Sequence, residues 1–325
     1  MVQILLIGLG AGAASALLLA SLASGSPFAV LLFYLAPLPI LIAALGWSHW
    51  TGLAATMIAA AGLAAVFGAK FFVAFLFGIG LPAWWLGYLA LLARPAKHAT
   101  PDGLEWYPAG RLVVWAAIVG ALVVAVAAIA NFGTSEESFR AAMRDGVERV
   151  IRAQTRTPPG APIEIGGIAS PNRLIEILVY AIPLAAATLT TLSNAINLWL
   201  AARVVRVSGR LQRPWPELSA MTFPPYAPIL LGLAAVATLL PDLVGTVAGF
   251  LAASLAMAYA VLGFAVLHAI TRGMDSRGFV LAGIYAAVAV FGWPVLTMTL
   301  LGLADTALDI RGRVARKRQP PTSPT

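Results

Sequence analysis

Apolar residues run along this chain in long blocks separated by short polar breaks, and most blocks approach the roughly 20 residues a helix needs to cross a bilayer. The pattern predicts membrane spans at about 2–23, 27–46, 50–68, 70–92, 111–132, 174–204, 226–241, 242–269 and 279–303. The first four follow one another with almost no loop, which makes them tight antiparallel hairpins. Residues 94–110 hold three prolines and read as a polar, non-helical connector. Residues 133–173 are the one sizeable region outside the apolar blocks.

That region opens with a helix of another kind. Thr134 and Glu137 fit a capping box. Phe139, Met143, Val147, Val150 and Ile151 share one face at helical spacing. On the other face Glu136–Arg140, Asp145–Arg149 and Glu148–Arg152 pair at i,i+4. A helix divided in this way lies in the membrane interface or caps a bundle. The stretch "TRTPPGAPIEIGG" then stops it. The predicted fold is all-α, a polytopic transmembrane helical bundle with about eight or nine membrane segments and one amphipathic extramembrane helix. Its parts are 1–132, N-terminal membrane helices; 133–173, extramembrane helix and Pro/Gly loop; 174–303, C-terminal membrane helices; and 304–325, a basic tail.

Composition sharpens this. Hydrophobic residues make up 60% of the chain and charged ones 10%, with a mean hydropathy of +0.89. A soluble domain keeps roughly a quarter of its residues charged, so too little polar surface exists here to cover a water-soluble globule. There is no cysteine, which removes disulfides, thiolate metal sites and cysteine nucleophiles. The first apolar block lacks a basic leader and is too long for a signal-peptide core, so it reads as a retained helix. The net charge of +8 sits in a few loops and the tail. That distribution fits anionic lipid at a cytoplasmic face and argues against nucleic acid as a partner. Orientation is contradictory, however. Arg203, Arg206, Arg210 and Arg213 ask for the cytoplasm, as does "RGRVARKR" at 311–318, yet three spans separate them. Either the short span 226–241 re-enters or the rule is broken once.

Few polar groups lie inside the apolar blocks, and each one needs a reason. Thr190, Asn194 and Asn197 share one helical face. An unpaired amide in hydrocarbon costs about 2–7 kcal/mol, so that face must look toward protein or a polar cavity. Interhelical hydrogen bonding and ligand binding both satisfy the demand. In "GIGLPAWWLGY" a proline is followed by Trp84, Trp85 and Tyr88, which would line an apolar ligand pocket or form an interfacial belt. Gly8, Gly12, Ala16 and Ala20 recur every four residues, a face suited to packing within the bundle or to docking a partner. At the far end Asp305, Asp309 and Arg313 read as a helix end held by ion pairs or as a cytoplasmic docking site. No phosphate-binding loop, HExxH or GxSxG pattern occurs, and the three histidines do not cluster with carboxylates. No metal or other cofactor is expected, and no enzymatic activity.

The segments "LSNAINLWLAARVVRVSGR", "LSAMTFPPYAPILLGL", "AYAVLGFAVLHAI" and "LLGLADTALDIRGR" resemble the YybS-like family of bacterial inner-membrane proteins over about residues 170–313. Leu262-Gly263 stands where that family commonly has Gln-Gly. The family is itself distantly similar to the substrate-capture (S) subunits of energy-coupling-factor transporters and to the rod-shape protein MreD. The resemblance implies a multi-pass protein of the bacterial inner membrane. The leading expectation is a substrate-binding transport module for a small solute or lipid-like ligand. It would work with a partner membrane protein or an energising ATPase complex. The alternative is a membrane scaffold for cell-envelope or membrane-assembly proteins.

Overall fold

A computed structural model gives the fold of residues 1–96, 103–158, 160–163 and 170–318. Parts of the 94–110 connector, of the Pro/Gly loop after Thr155 and of the basic tail lie outside the described residues. The helices in chain order are Val2–Ala20 (α1), Pro27–Tyr34 (α2), Pro37–Gly46 (α3), His49–Phe67 (α4), Ala69–Phe75 (α5), Leu81–Ala90 (α6), Ala109–Phe132 (α7), Glu136–Thr155 (α8), Pro171–Val207 (α9), Ala227–Ala237 (α10), Asp242–Ile270 (α11), Arg277–Phe291 (α12), Pro294–Leu308 (α13) and Ile310–Arg318 (α14). Seven segments are long and apolar enough to cross a membrane: Val2–Ser24, α2 with α3, α4, α5 with α6, α7, α9 and α11. The helices α10, α12 and α13 are apolar but shorter. The connector contributes a two-stranded antiparallel ladder, Ala93–Pro95 (β1) with Leu104–Trp106 (β2), which the proline count alone did not suggest.

Local chemistry explains most boundaries. Ser26 caps α2 by accepting from Phe28 N, with Pro27 at the first helical position where a missing N–H costs nothing. Ser48 does the same for α4 through Thr51 N. Pro37 and Pro39 lack the donors that would continue α2, so that segment is broken at residues 35–36.

The central mast is α9. Its buried residues are Ile175, Val179, Pro183, Ala187, Thr191, Asn194, Asn197, Ala201 and Val205, spaced three or four apart along the whole helix. At 37 residues it is about 55 Å long and overruns a hydrocarbon core of about 30 Å. One lobe, α1 to α6, packs on it through α3 with a core of Ile40, Leu41, Leu45, Leu63 and Leu86. The other lobe meets it through α7 and α11, around Val114, Leu255, Tyr259 and Leu262.

The small-residue face of α1 is covered inside the molecule. A Cβ on Gly12 would sit 2.6 Å from the Ala55 carbonyl oxygen, and one on Gly8 would lie 3.1 Å from Ala54 Cβ. These glycines let α1 and α4 approach closely, and Ala16 packs into the same core. The expectation of a partner-docking face at Gly8, Gly12 and Ala16 is therefore corrected: α4 already occupies it.

The extramembrane helix α8 is present and rests on α7 and α9. Phe139 and Val147 are buried, with Met143 and Ile151 beside them, whereas Val150 is exposed. Its cap is Ser135 rather than Thr134, and Ser138 takes the place expected for Glu137. Of the expected pairs, Glu136–Arg140 forms. Glu148 instead meets Arg144 at 3.0 Å, which frees Arg152 to donate to Pro158 O and Ala161 O.

The apolar block 279–303 is not one span. It divides at Gly292, whose φ of +71° favours glycine, followed by Trp293 and Pro294. Tyr285 of α12 stacks on Phe264 at 5.1 Å. Thr299 of α13 donates to Ala256 O, and Gly302 faces Tyr259. The helix α12 thus runs back along α11, and α13 returns beside it. Arg311 then donates to Ser219 O and Met221 O, while Arg272 at the end of α11 donates to Ser219 Oγ. The basic loop after α9 and the basic tail therefore lie at the same end of the bundle, and the sequence-level conflict over orientation disappears. Arg210 over Trp47, and Gly8 and Gly12 running parallel to α4, bring the N-terminus to that end as well.

Charge divides along the same axis. Among the described residues that end carries Arg94, Arg111, Arg203, Arg206, Arg210, Arg213, Arg272, Arg277, Arg311, Arg313, Arg316 and Lys317 against Glu105, Glu217, Asp275, Asp305 and Asp309. At the opposite end Lys70, Arg140, Arg144, Arg149, Arg152, Arg156 and Arg173 are nearly balanced by Glu136, Glu137, Asp145, Glu148, Glu176 and Asp242.

Candidate functional site

The break between α2 and α3 strands backbone acceptors inside the bundle. Leu38 N turns back to Leu35 O, so the Tyr34 carbonyl has no helical partner. Side chains from α9 take it instead. Ser193 Oγ donates to Tyr34 O at 2.8 Å and Asn197 Nδ2 does so at 2.7 Å. Asn197 Nδ2 also lies 2.8 Å from Ser193 O. Ser15 of α1 donates to Ala36 O across the same break. These contacts explain one of the two amides in α9: its Nδ2 replaces the helical hydrogen bond that Leu38 N does not make to Tyr34 O.

Asn194 is not explained in this way. It is 4% exposed, and its Nδ2 has no hydrogen-bond partner. It lines a groove of about 560 Å³ at the end of the bundle away from the basic loops. Leu19, Ala20, Leu22 and Ala23 of the first span, Phe33 and Tyr34 beside the break, and Phe67, Phe71 and Phe75 of α4 and α5 form its walls. Thr190, Ser193 and Asn194 supply its polar side. Thr190 and Ser193 already donate to Ala186 O and Tyr34 O. Asn194 therefore presents the one unsatisfied buried amide donor in an otherwise aromatic and aliphatic hollow.

A second irregularity faces the same groove. Leu76–Gly80 winds as a π-turn between α5 and α6, with Thr56 Oγ1 donating to Gly80 O at 3.2 Å. A Cβ on Gly80 would collide with the Thr56 side chain, so glycine is needed for this approach. Gly78 and Ile79 of that turn line the groove. Single π-turns inside helices recur at functional sites, where they turn side chains out of helical register.

The other residues singled out by sequence lie elsewhere. Trp84, Trp85 and Tyr88 are at the basic end, and none of them lines the groove beside Asn194. Trp85 meets Trp115 edge-on at 5.6 Å, Tyr88 meets His49 at 5.3 Å, and Trp115 Nε1 donates to Tyr107 Oη at 3.0 Å. They form an aromatic belt joined to the connector, and the structure does not unite them with Thr190, Asn194 and Asn197. Asn197 itself is engaged by Tyr34 O, behind the groove.

The Asp305, Asp309 and Arg313 expectation is redrawn. Asp309 adopts a left-handed conformation with φ +49° and ends α13; Arg313 N donates to its backbone oxygen at 3.0 Å, but its carboxylate pairs with Arg316 at 3.4 Å and not with Arg313. Asp309 accepts from Gly312 N, and Arg313 is exposed. Asp305 is buried and holds Arg311, with Nη2 at 2.8 Å from its Oδ2. Arg311 joins the end of α13 to the 218–221 segment, a role invisible to i,i+4 counting because the helix breaks between the partners. Nearby, hydrogen bonds from Arg272 and Ser219 hold the Glu217 carboxyl below the usual carboxylate range. Burial lowers the Arg213 guanidinium, which donates to Ala90 O and Tyr107 O.

A family model described as "Predicted membrane protein (DUF2232)" matches residues 13–306 of the chain. No curated protein and no solved structure matches it. The matched stretch takes in α9, the α2–α3 break and every wall of the groove.

Proposed function

We propose that this chain, which belongs to the DUF2232 family of membrane proteins, is a non-enzymatic binding module for a lipid-like ligand. The ligand would be largely apolar, with one hydrogen-bond acceptor such as an ester or ketone carbonyl. It enters the groove at the α1–α4 end and sets that acceptor on Asn194 Nδ2. The reading rests on one observation above others, a buried and unpartnered amide donor on a residue that lines an aromatic hollow. Buried donors ordinarily find partners, and an unsatisfied one costs about 1–3 kcal/mol. A ligand acceptor would remove that cost.

The sequence holds no nucleotide-binding motif, so movement of the ligand across the bilayer would need a separate energising partner. This is the arrangement of substrate-capture subunits, to which the YybS-like family that the C-terminal half resembles is distantly similar, and on this reading the protein lies in the bacterial inner membrane with its basic end in the cytoplasm. The scaffold alternative has less support. One of its expected contacts, the Asp305 end, is taken up by Arg311.

The test uses a diazirine-bearing acyl ester as the probe, photolysed with the purified protein. Crosslinks are expected in peptides spanning residues 19–37 or 67–79. Asn194→Leu should reduce labelling about tenfold, as expected for loss of one buried hydrogen bond. Labelling spread evenly over all lipid-facing helices, unchanged in Asn194→Leu, would sink the reading.

A further inference from the structure

At the basic end α9, α11 and α12 enclose a second groove of about 570 Å³. Its walls are apolar, with Leu192, Ile196 and Trp199 of α9 opposite Val261 and Phe264 of α11. From Leu192 to Trp199 is two helical turns, about 10 Å. The mouth differs in kind: His268, Arg272, Arg277 and Tyr285 stand there.

Three of these groups, Arg277, His268 and Tyr285, form a directed chain of hydrogen bonds. Arg277 Nη2 lies 3.4 Å from His268 Nδ1, and His268 Nε2 lies 3.0 Å from the Tyr285 hydroxyl oxygen. A guanidinium only donates, so Nδ1 accepts, and a neutral ring then carries its proton on Nε2 and donates to Tyr285. The Tyr285 hydroxyl proton is left without a protein acceptor among the described residues. Arg277 has no ion pair among the described residues, and its Nε is buried with no partner. Arg272 is engaged by Glu217 at 3.0 Å and remains at the rim. The mouth therefore offers donors and positive charge, and among the described residues its nearest carboxylate, Glu217, is engaged by Arg272. It lies at the ends of α11 and α12, the depth of lipid headgroups, at the end of the molecule where cations outnumber anions.

We infer that this groove binds an anionic phospholipid. Its phosphate takes hydrogen bonds from Arg277 and Tyr285, and one acyl chain lies along Leu192, Ile196 and Trp199. Charge complementarity selects the headgroup, because a guanidinium short of partners is matched by a phosphate diester. The apolar wall selects a tethered lipid over a free phosphate ion. This site is separate from the Asn194 groove and does not depend on it.

Native mass spectrometry of the protein released from nanodiscs of equimolar phosphatidylcholine and phosphatidylglycerol tests the inference. Wild type should retain phosphatidylglycerol preferentially. Arg277→Gln should lower that adduct about tenfold and Tyr285→Phe about threefold, the scale of a charge-assisted and a neutral hydrogen bond. Arg313→Gln removes the same charge from an exposed position at the same end and should change nothing. No preference in wild type overturns the assignment, and so do equal losses in Arg277→Gln and Arg313→Gln. Displacement of the adduct by inorganic phosphate alone would mean an anion site without acyl recognition and overturns it too. Where Arg277→Gln is not recovered folded, Tyr285→Phe decides, since it deletes one oxygen from a half-exposed ring.

Discussion

Two amides three residues apart on α9 do opposite things, and their substitutions should diverge. Asn197→Leu leaves the Tyr34 carbonyl with Ser193 as its remaining partner and should lower stability by about 1–3 kcal/mol. Asn194→Leu removes a buried group that has no partner, so the ligand-free protein should be unchanged or stabilised by up to about 1 kcal/mol. Thermal unfolding in one detergent compares them; a drop in Asn194→Leu as large as in Asn197→Leu would show that Asn194 is structural. Arg311→Gln strips a buried carboxylate of its cation and should cost about 3–5 kcal/mol, whereas Arg313→Gln should be silent. The sequence showed that the α9 amides face inward, because an apolar segment of helical period leaves no other place for them. It could not show which amide nitrogen was already engaged. That depends on the Tyr34 carbonyl, 163 residues away along the chain.

Among the elements, the contact between α11 and α13 is set by two glycines. A Cβ on Gly263 would strike the Met298 carbonyl oxygen, and one on Gly302 the Tyr259 carbonyl oxygen. Neither obstacle is a side chain that can swing aside. Gly263→Ala and Gly302→Ala should each destabilise by about 3 kcal/mol, the upper part of the usual overpacking range, while Gly283→Ala on the open side of α12 should not. Purified yield and melting temperature check the three together. Most long elements were legible, since blocks of about 20 apolar residues have one stable solution in lipid. The α12–α13 hairpin was not, because a Gly-Trp-Pro stretch within 25 apolar residues reads as a kink as easily as a reversal. Only packing on α11 decides which. The cap of α8 slipped by one residue for a related reason: adjacent Thr134 and Ser135 compete for the same role, and Phe132 O accepts from Ser138 Oγ in the arrangement that wins.

For the whole molecule the reversal at Gly292 sets the orientation of everything else. With the 203–213 loop and the tail at one end, the two basic segments ask for the same side, and both termini should be cytoplasmic. The absence of cysteine makes this directly measurable. Single-cysteine variants Ser208→Cys and Ala315→Cys should react with a membrane-impermeant maleimide only after the inner face is opened. Gln154→Cys on α8 should react from outside. Ala315→Cys and Gln154→Cys labelling from the same side would contradict the fold. Function was the least legible level, because a groove is a property of three-dimensional gaps and the groups around it are far apart in sequence. The hairpin also acts on its surroundings. Its two helices have 15 residues each, about 22 Å, against about 30 Å of hydrocarbon. Lipid tails beneath Trp293 should shorten or splay to meet that blunt tip, so a local thinning of the bilayer is expected around the protein. Thin bilayers should suit it better than thick ones, and neighbours with similarly short helices should gather beside it.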